Sequence, residues 1–556
     1  MTERENQGPP TPMRATLARA LCSALAQLGI EPCPRPEEIR LEHPANPANG
    51  DWSSNVAMAW AKRTGSSPRD LAAKVAAIVD DAAVPHVQSI EIAGAGFLNF
   101  RLADSWLHDV LTTVVLGGEA DYARSDEGQG RRVQLEFVSA NPTGPLHVGN
   151  GWWCAYGDAL GRVMSRCGWD VWREYYVNDT GGQVRRLGMS LLARHAGEEV
   201  PEEGYQGAYV AELARTYNGP TGDGPDAVIQ AGSWAAERIL ANIADSLARL
   251  GIVFDSWFSQ ASIEESGAVA ETIADLSAHG LVYEADGAVW LASTKGGDSR
   301  DRVLRKSESL GGDFTYLAGD LAYHRNKFLV RGFDRVIDIF GADHHGQVAS
   351  LMAGVAALGI EAGRLEVKLG QMISLAEGKM SKRAGNFVSL DSLVADIGPD
   401  ATRLLSLMTS IDQATTLDLE LVRRQSMDNP VYYVQYAHAR IASIERVRQE
   451  KGLERVSLAE AELALLVHPR ELDLLRSLET LPSVVSLACA ERAPHKVTTW
   501  VRDLAGRFHG FYHDCYVMGD DVPPALTQAR LWLVEATRIG LAIGLDLLGV
   551  SAPETM

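Results

Sequence analysis

Cysteine is scarce in this chain of 556 residues, and the spacing of the few cysteines excludes two kinds of scaffold. There is no CxxC pair among them, whereas a disulfide framework or a zinc knuckle requires paired spacing. The six cysteines are Cys22, Cys33, Cys154, Cys167, Cys489 and Cys515. We therefore expect reduced packing residues, and we predict no metal site even though His344 and His345 are adjacent.

Long apolar runs are also missing. No stretch approaches the roughly 18 consecutive apolar residues of a membrane-spanning helix, and the first residues lack the apolar core of a secretory signal. Hydrophobic residues make up 46% of the chain and charged residues 22%, which are ordinary proportions for a globular protein. We expect a cytoplasmic protein with about three or four domains.

Positive charge is under-represented, and the formal net charge is −20. Because phosphate contacts come from Lys and Arg, this total argues at first against a nucleic-acid partner. However, residues 430–556 hold 13 Lys and Arg against 16 Asp and Glu, so this region is close to neutral. Such a region can carry a local basic face, for instance through Arg440, Arg446 and Arg448. Composition alone leaves a nucleic-acid partner open.

One segment, residues 133–156, has the pattern of a strand, a tight loop and a helix. Apolar and polar residues alternate from Val133 to Phe137, and a loop with two prolines and a glycine leads to the motif HVGN at 147–150. Unpaired N–H groups, the helix dipole and glycine make such a helix start a phosphate site. His147 would add a ring donor. The alternative is a solvated loop in a doubly wound sheet.

A second segment, residues 377–386, reads EGKMSKRAGN and follows an apolar stretch that ends at Leu375. Its two lysines, Lys379 and Lys382, lie on a loop flanked by glycine, which by itself indicates only solvated charge. Together with the HVGN motif in an α/β chain, both segments favour the same ligand, a nucleoside triphosphate.

These two motifs resemble the signatures of class I aminoacyl-tRNA synthetases, with HVGN in the place of HIGH and KMSKR in the place of KMSKS. Four further segments are similar to bacterial arginyl-tRNA synthetase: EFVSANPTGPLHVGN, DLAYHRNK, GADHHGQ and NPVYYVQYAHAR. The match runs along nearly the whole chain. The resemblance implies an ATP-dependent ligase that forms arginyl-adenylate, releases pyrophosphate and transfers arginine to the 3′ end of tRNA(Arg).

The pattern of the chain and the resemblance together predict an α/β fold with a Rossmann-like, parallel-sheet catalytic domain. We place a small N-terminal α/β domain at residues 1–110, the catalytic domain at 120–425 with an insertion at about 185–300, and an all-α helical bundle at 430–556. In the family, the first domain is thought to touch the tRNA elbow and the bundle reads the anticodon.

By resemblance, the catalytic residues are His147, Gly149, Asn150, Lys379 and Lys382, which would hold the phosphates of ATP bound with Mg²⁺. The further ATP contacts are Pro142, Gly144, Met380 and Ser381. The chain departs from the signature at Asn150, where the class usually has a second histidine. Asparagine keeps a donor but loses the ring and any charge, so we expect catalysis to survive.

The resemblance also implies an arginine site, because a guanidinium with five donors requires carboxylates or carbonyls. The arginine-binding residues expected from it are Glu136, Ser139, Asn141, Tyr316, Asp320 and His344. From the residues alone, Asp320 could instead cap a helix over 321–328, and Tyr316 could be a core aromatic. A polar site rejects apolar analogues without proofreading, so we expect no editing domain.

For RNA, the resemblance points to aromatic residues at the start of the bundle: Tyr432, Tyr433, Tyr436 and His438. Aromatic residues at this spacing can equally be core residues. The partners implied are tRNA(Arg), L-arginine and ATP, without DNA or a membrane, and we expect a monomer. Family members need tRNA before they activate arginine, and the same is expected here.

Two other functions remain open from the sequence. A relative specific for another amino acid such as cysteine would use a Cys/His zinc site, which this chain lacks. A catalytically inactive RNA-binding or regulatory paralogue is disfavoured by His147, Gly149 and the two lysines, although Asn150 leaves it open. Formation of the adenylate would discriminate among these functions.

Overall fold

The computed structural model describes residues 12–371, 373–375, 389–424 and 426–556. Within these residues the chain divides into two units. The first unit contains residues 12–125, 432–547 and 551–556, and the second contains the described residues of 126–431 together with 548–550. None of the described helices combines the length and the apolar character that crossing a lipid bilayer requires.

The N-terminal part of the first unit is a small α/β module. Its elements are α1 (Pro12–Gln27), β1 (Leu41–Glu42), β2 (Trp52–Ser54), α2 (Val56–Thr64), α3 (Pro68–Asp81), β3 (Val87–Ala93), β4 (Phe97–Leu102) and α4 (Ser105–Asp121). The strands form an antiparallel sheet in the order β1-β2-β4-β3, with Trp52 opposite Phe100. Helix α3 begins as a capped helix should, because Ser67 Oγ accepts the N–H of Asp70 and Pro68 follows the cap.

The second unit alternates strands and helices. In chain order its elements are β5 (Arg132–Glu136), α5 (Val148–Arg166), β6 (Asp170–Val177), α6 (Gly181–Ala196), α7 (Ala208–Thr216), α8 (Pro225–Arg249), β7 (Ser256–Ser259), α9 (Gln260–Glu265), α10 (Ala268–Ala278), β8 (Val282–Ala285), β9 (Ala288–Leu291), β10 (Arg302–Arg305), α11 (Tyr316–Arg325), β11 (Arg335–Gly341), α12 (His345–Ala357), β12 (Leu365–Gly370), β13 (Ile373–Leu375), α13 (Leu390–Ile397), α14 (Pro399–Ser406), β14 (Thr415–Leu417) and α15 (Leu419–Arg423).

Five of these strands form a parallel sheet in the order β12-β11-β5-β6-β7. The chain runs from β5 to one edge of the sheet and then returns to build the other side from β11. Open α/β sheets bind ligands where the strand order reverses, at the carboxyl ends of the strands. In this sheet that crevice lies between β5 and β11, where Glu136 and Asp338 are register partners.

The sheet confirms the predicted parallel α/β architecture, and it changes the interpretation of its central strand. Val133 and Leu135 are buried, as the alternating pattern indicates, but the polar residues between and after them, Gln134 and Glu136, are buried as well. Strands of a parallel sheet are covered on both faces. The polar side chains of β5 therefore lie in the interior and need partners there.

The stretch predicted as one insertion, residues 185–300, is more varied than a helical insertion. Helices α6, α7 and α8 fill its first part. Strand β7 then forms an edge of the main sheet, and β8 and β9 pair with β10 in a separate antiparallel sheet.

A helical bundle completes the first unit. Its helices are α16 (Pro430–Glu450), α17 (Pro469–Glu491), α18 (His495–Asp514) and α19 (Pro524–Leu548). The N-terminal module packs against this bundle within the unit, since Tyr122 Oη donates to the carbonyl of Leu478 at 2.7 Å and His43 Nε2 lies 3.0 Å from Glu479 Oε2.

A buried ion cluster joins α5 to α14 in the second unit. Arg403 is 1% exposed, and it donates to the Asp158 carboxylate and to the carbonyl of Leu250, the latter at 2.8 Å. Burial alone would raise the pKa of Asp158, but Arg403, Arg162 and Arg173 outweigh it and hold the pKa below its ordinary value. The cluster therefore keeps a buried carboxylate ionised.

We expect Arg403→Met to reduce the free energy of unfolding by about 3 kcal/mol, because it removes the buried cation that pairs with Asp158 while the Asp158 carboxylate stays buried. Arg162→Met is the matched control. It removes a more exposed arginine that contacts the same carboxylate at 2.8 Å, and its cost should stay below about 1 kcal/mol. Urea denaturation measures both values, and equal losses would contradict this account of the cluster.

Candidate active site

The HVGN motif forms the first turn of α5. His147 is the N-cap residue, and its Nδ1 accepts the N–H of Gly149 at 3.0 Å. In a neutral imidazole with Nδ1 as acceptor, the proton is on Nε2, so the ring is a donor at that atom. The Gly149 N–H is engaged by the ring in this structure. Asn150 lies in the same turn, and its side chain is outside the described part of the chain.

The KMSKR motif, with Lys379, Met380, Ser381 and Lys382, lies outside the described residues. The chain that follows it contacts the start of α5. Leu390 N donates to the carbonyl of Leu146 at 2.9 Å, and Ser389 forms a β-bridge with His147. The Leu390 side chain packs directly against Gly151. A Cβ at position 151 would lie 2.3 Å from Leu390 Cδ1, so only glycine leaves room for this contact.

The loop after β5 is strained and brings two predicted arginine-binding residues together. Val138 and Ser139 have φ angles of 69° and 39°, a region that non-glycine residues rarely adopt. In this conformation Ser139 Oγ donates to Glu136 Oε1 at 3.0 Å and accepts the N–H of Tyr176 at 3.0 Å.

The other predicted residues of this loop lie further along it. Asn141 is exposed, and its carbonyl accepts the N–H of Thr143 at 2.7 Å. Pro142 is buried, and Gly144 lies beside the ring of Tyr209.

A buried ion cluster occupies the crevice between β5 and β11. The ammonium of Lys327, which is 0% exposed, lies 2.6 Å from Glu136 Oε2 and 2.9 Å from Asp338 Oδ1. The second oxygen of Asp338 lies 2.7 Å from His324 Nε2. His324 Nδ1 lies 2.7 Å from the carbonyl of Asp320, so the ring links Asp338 to the backbone of α11.

The carboxyl groups of this crevice differ in acidity. Burial raises the pKa of Glu136, and Lys327 opposes that rise. For Asp338 burial acts in the same direction, but Lys327 and His324 outweigh it and lower the pKa to about 2. Burial raises the pKa of Asp320 to about 6. Among the described residues, the Asp320 side chain makes neither a hydrogen bond nor an ion pair, so its charge has no direct partner.

Helix α11 overturns the two alternatives considered for its residues. Thr315 is its N-cap and Asp320 lies in its middle, so Asp320 does not cap a helix. Tyr316 is 80% exposed, so it is not a core aromatic. The two side chains are four residues apart on one helix, which places them on the same face.

His344 occupies the exposed turn that follows β11. This turn spans Ala342–His344, and the His344 ring lies 5.4 Å from the ring of Phe340. The end of β11 thus brings His344 to the same edge of the sheet as the other candidate residues.

Sequence reasoning missed several residues of the crevice. Lys327, His324 and Asp338 form the cluster described above, and Glu174 on β6 accepts hydrogen bonds from Tyr323 Oη at 2.6 Å and from Arg331. The signal was present, because Asp338 interrupts an apolar strand and the polar residues of α11 recur at helical spacing. A charged residue inside a buried strand requires an interior partner.

Comparisons with known proteins identify the family. The family model for the catalytic domain of class I tRNA synthetases (R) matches residues 240–424, the arginyl tRNA synthetase N terminal domain matches 15–102, and the DALR anticodon binding domain matches 434–556. An arginine–tRNA ligase of Frankia alni is 46% identical over 533 residues, which cover 94% of this chain and 95% of that protein. The chain belongs to the arginyl-tRNA synthetase family.

Two further proteins match nearly the whole length of this chain. An arginine–tRNA ligase of Moorella thermoacetica is 43% identical over 556 residues and covers 97% of both chains. The arginyl-tRNA synthetase of Thermus thermophilus is 22% identical and aligns with a TM-score of 0.73 over 98% of this chain and 100% of that one. That likeness supports the fold.

Within the bundle, the residues that the family resemblance pointed to for RNA differ in accessibility. Tyr432 and Tyr436 stack with ring centroids 5.4 Å apart, and the Arg440 guanidinium lies 4.3 Å from the Tyr436 ring. Tyr433 is half-buried. His438 is 5% exposed, and its Nδ1 lies 2.9 Å from the carbonyl of Pro553, so in this structure it is a packing residue.

No group of three or more His, Cys, Asp or Glu side chains in the described ranges is arranged to hold a metal ion. His344 and His345 follow one another at the end of β11, and both are exposed. The lack of a structural metal remains a prediction from the sequence.

We expect Asp320→Asn to stabilise the chain at neutral pH. The folded-state pKa of Asp320, about 6, lies above its ordinary value of 3.8, so ionisation of this carboxyl group opposes folding. The increase in the free energy of unfolding caused by Asp320→Asn should therefore grow between about pH 4 and pH 6 and stay constant above pH 6. Thermal unfolding at pH 5.0 and pH 7.5 measures it.

The control for this variant is Asp343→Asn, which removes an exposed carboxylate at the same edge of the sheet. It should leave the unfolding temperature unchanged at both pH values. A melting temperature of Asp320→Asn equal to or below that of the unmodified chain at pH 7.5 would contradict the assignment of a carboxylate whose ionisation is opposed by burial.

Proposed function

We infer that this chain activates L-arginine with ATP, releases pyrophosphate, and transfers arginine to the 3′ end of tRNA(Arg). The observation that carries the inference is the acidic crevice between β5 and β11, next to a helix start that bears the HVGN motif. Asp320 provides a desolvated carboxylate that has no direct cationic partner among the described residues, which suits a substrate with a guanidinium group. Membership of the arginyl-tRNA synthetase family supports the same reaction.

In the first step, the arginine carboxylate attacks the α-phosphate of ATP, and negative charge builds on the bridging and leaving oxygens. Donors fixed in place before the reaction stabilise such charge, and the loss of one donor typically costs about 2.7–4 kcal/mol. We propose that His147 donates to the phosphates through Nε2 and that the start of α5 adds its dipole. ATP would enter with Mg²⁺ as a substrate complex.

We assign the remaining phosphate contacts by motif. Lys379 and Lys382 would close over the pyrophosphate, with Met380 and Ser381 between them contacting ATP. The contacts of Ser389 and Leu390 with the start of α5 support this role, because they bring the chain after the motif next to His147. The further contacts proposed for ATP are Pro142, Gly144, Gly149 and Asn150.

For arginine, we propose that Asp320 and Tyr316 face the guanidinium and that the loop after β5 binds the α-amino group. Ser139 Oγ donates to Glu136 Oε1 at 3.0 Å, which holds these two side chains in a defined arrangement where β5 meets the loop. Asn141 and His344 complete the proposed arginine contacts.

The two ends of the chain would bind the RNA. We propose that the domain at residues 1–110 contacts the tRNA elbow and that the bundle at 430–556 contacts the anticodon through Tyr432, Tyr433 and Tyr436. Because His438 is 5% exposed, we do not include it among the proposed contacts. We propose a cytoplasmic monomer that has neither DNA nor a membrane as a partner.

The test is exchange of labelled pyrophosphate into ATP, run with and without total tRNA, with cysteine, lysine and glutamate as control amino acids. We expect exchange with arginine alone among the amino acids, and only when tRNA is present. Exchange at full rate without tRNA would contradict the proposed RNA dependence. Binding of tRNA by the folded chain without exchange for any amino acid would favour the inactive paralogue.

The role of the KMSKR motif has its own test. Lys382→Ala should reduce kcat for exchange by about 100-fold, because one preorganised cation is lost from the transition state. Lys295→Ala removes an exposed lysine on the 3₁₀ turn after β9 and should leave kcat unchanged. Similar kcat values for the two variants would remove Lys382 from the mechanism.

A further inference from the structure

Lys327 is a buried ammonium that the proposed reaction does not use. It lies in the π-helical turn Asn326–Val330, directly after α11. Its Nζ is bound by the carboxylates of Glu136 and Asp338 and lies 4.1 Å from the centroid of the Tyr323 ring. Because the side chain is 0% exposed and enclosed by these groups, it has no surface left for a substrate.

The contacts of Lys327 lead towards both proposed halves of the arginine site. On one side, the Glu136 carboxylate links Lys327 to Ser139. Its Oε2 accepts from Lys327 Nζ at 2.6 Å, and its Oε1 accepts from Ser139 Oγ at 3.0 Å. Both oxygens of that carboxylate are thereby fixed, and its position follows that of the ammonium. The proposed α-amino contacts, Glu136 and Ser139, thus depend on one cation.

On the other side, Asp338 links Lys327 to α11 through His324. It lies 2.9 Å from Lys327 and 2.7 Å from His324, whose other ring nitrogen lies 2.7 Å from the carbonyl of Asp320. The helix that carries the proposed guanidinium ligand is therefore tied to the strand that carries Asp338.

Charge balance gives Lys327 a second effect on Glu136. Register places Glu136 and Asp338 side by side on adjacent strands, where two carboxylates without a shared cation would repel one another. With the ammonium between them, Glu136 can remain an ionised acceptor. Without it, a buried carboxylate either takes up a proton or turns towards solvent, and in both cases it binds an ammonium group less well.

We propose that Lys327 is a positioning residue of the arginine site, which holds Glu136 charged and oriented towards the α-amino group of the substrate without touching the substrate itself. The assignment rests on the proposed function. It predicts a selective effect: Lys327→Met should raise KM for arginine by about tenfold or more and change KM for ATP by less than about twofold, since the phosphate contacts lie at α5.

The experiment measures both KM values by pyrophosphate exchange in the presence of tRNA for Lys327→Met, Glu136→Gln and the double variant. If Lys327 acts through Glu136, the double variant should have an arginine KM within about threefold of that of Glu136→Gln, rather than the product of the two single effects. Multiplicative effects, or equal changes in both KM values, would overturn the proposal.

A matched control separates positioning from general loss of structure. Arg325→Met removes a cation two residues from Lys327 that pairs instead with Asp275 at 2.7 Å, outside the crevice. It should leave KM for arginine unchanged. A rise in the arginine KM similar to that of Lys327→Met would show that any lost cation in this helix suffices, and would overturn the assignment.

Folding of the single variant does not limit the test. The double variant removes both charges of the Lys327–Glu136 pair, so it should be more stable than Lys327→Met alone. Should Lys327→Met fail to fold, an arginine KM of the double variant equal to that of the unmodified chain would still overturn the proposal.

Failure of the proposed function and failure of this assignment give different results. If the unmodified chain shows no exchange, both are overturned. If it shows exchange and the arginine KM of Lys327→Met is unchanged, only the assignment is overturned.

Discussion

The architecture of the site depends on one buried ammonium placed between two carboxylates. Parallel pairing of β5 with β11 puts Glu136 beside Asp338 in the interior, and such a pair cannot stay ionised without compensation. Lys327 supplies it at 2.6 Å and 2.9 Å. Asp320 remains on the adjacent helix without a cationic partner of its own among the described residues, so the crevice retains an unmatched negative charge that a cationic substrate can balance.

The same stretch of chain connects this crevice to the helix start that we propose as the phosphate site. Strand β5 ends at Glu136, and the loop after it leads to His147 at the cap of α5. The segments that we propose for the cationic amino acid and for the anionic triphosphate are therefore neighbours in the chain and have opposite electrostatic character. The strained residues Val138 and Ser139 mark the point where the chain turns between them.

The pattern of the sequence and the family resemblance were together sufficient for the parallel α/β architecture and for the helix start, because alternation, turn residues and helical spacing are local properties. They did not predict the strands β7, β8 and β9 within residues 185–300. They were also insufficient for the crevice. Glu136 had the position of a solvent-facing residue in an alternating strand, and only the pairing of strands from distant parts of the chain shows that it is buried. His438 was grouped with neighbouring tyrosines, but it follows Ala437 on the core face of α16 and is packed against the chain terminus.

With Asp320 in the crevice, the site is expected to select a positive charge as well as a shape. Citrulline tests this expectation most directly, since it replaces the guanidinium with a neutral urea group of nearly the same form. We would measure kcat/KM for arginine and for citrulline by pyrophosphate exchange with tRNA present. We predict that kcat/KM for arginine exceeds that for citrulline by a factor of at least about 10⁴, as expected where buried polar groups lose their partner. A ratio below about 10 would contradict this expectation.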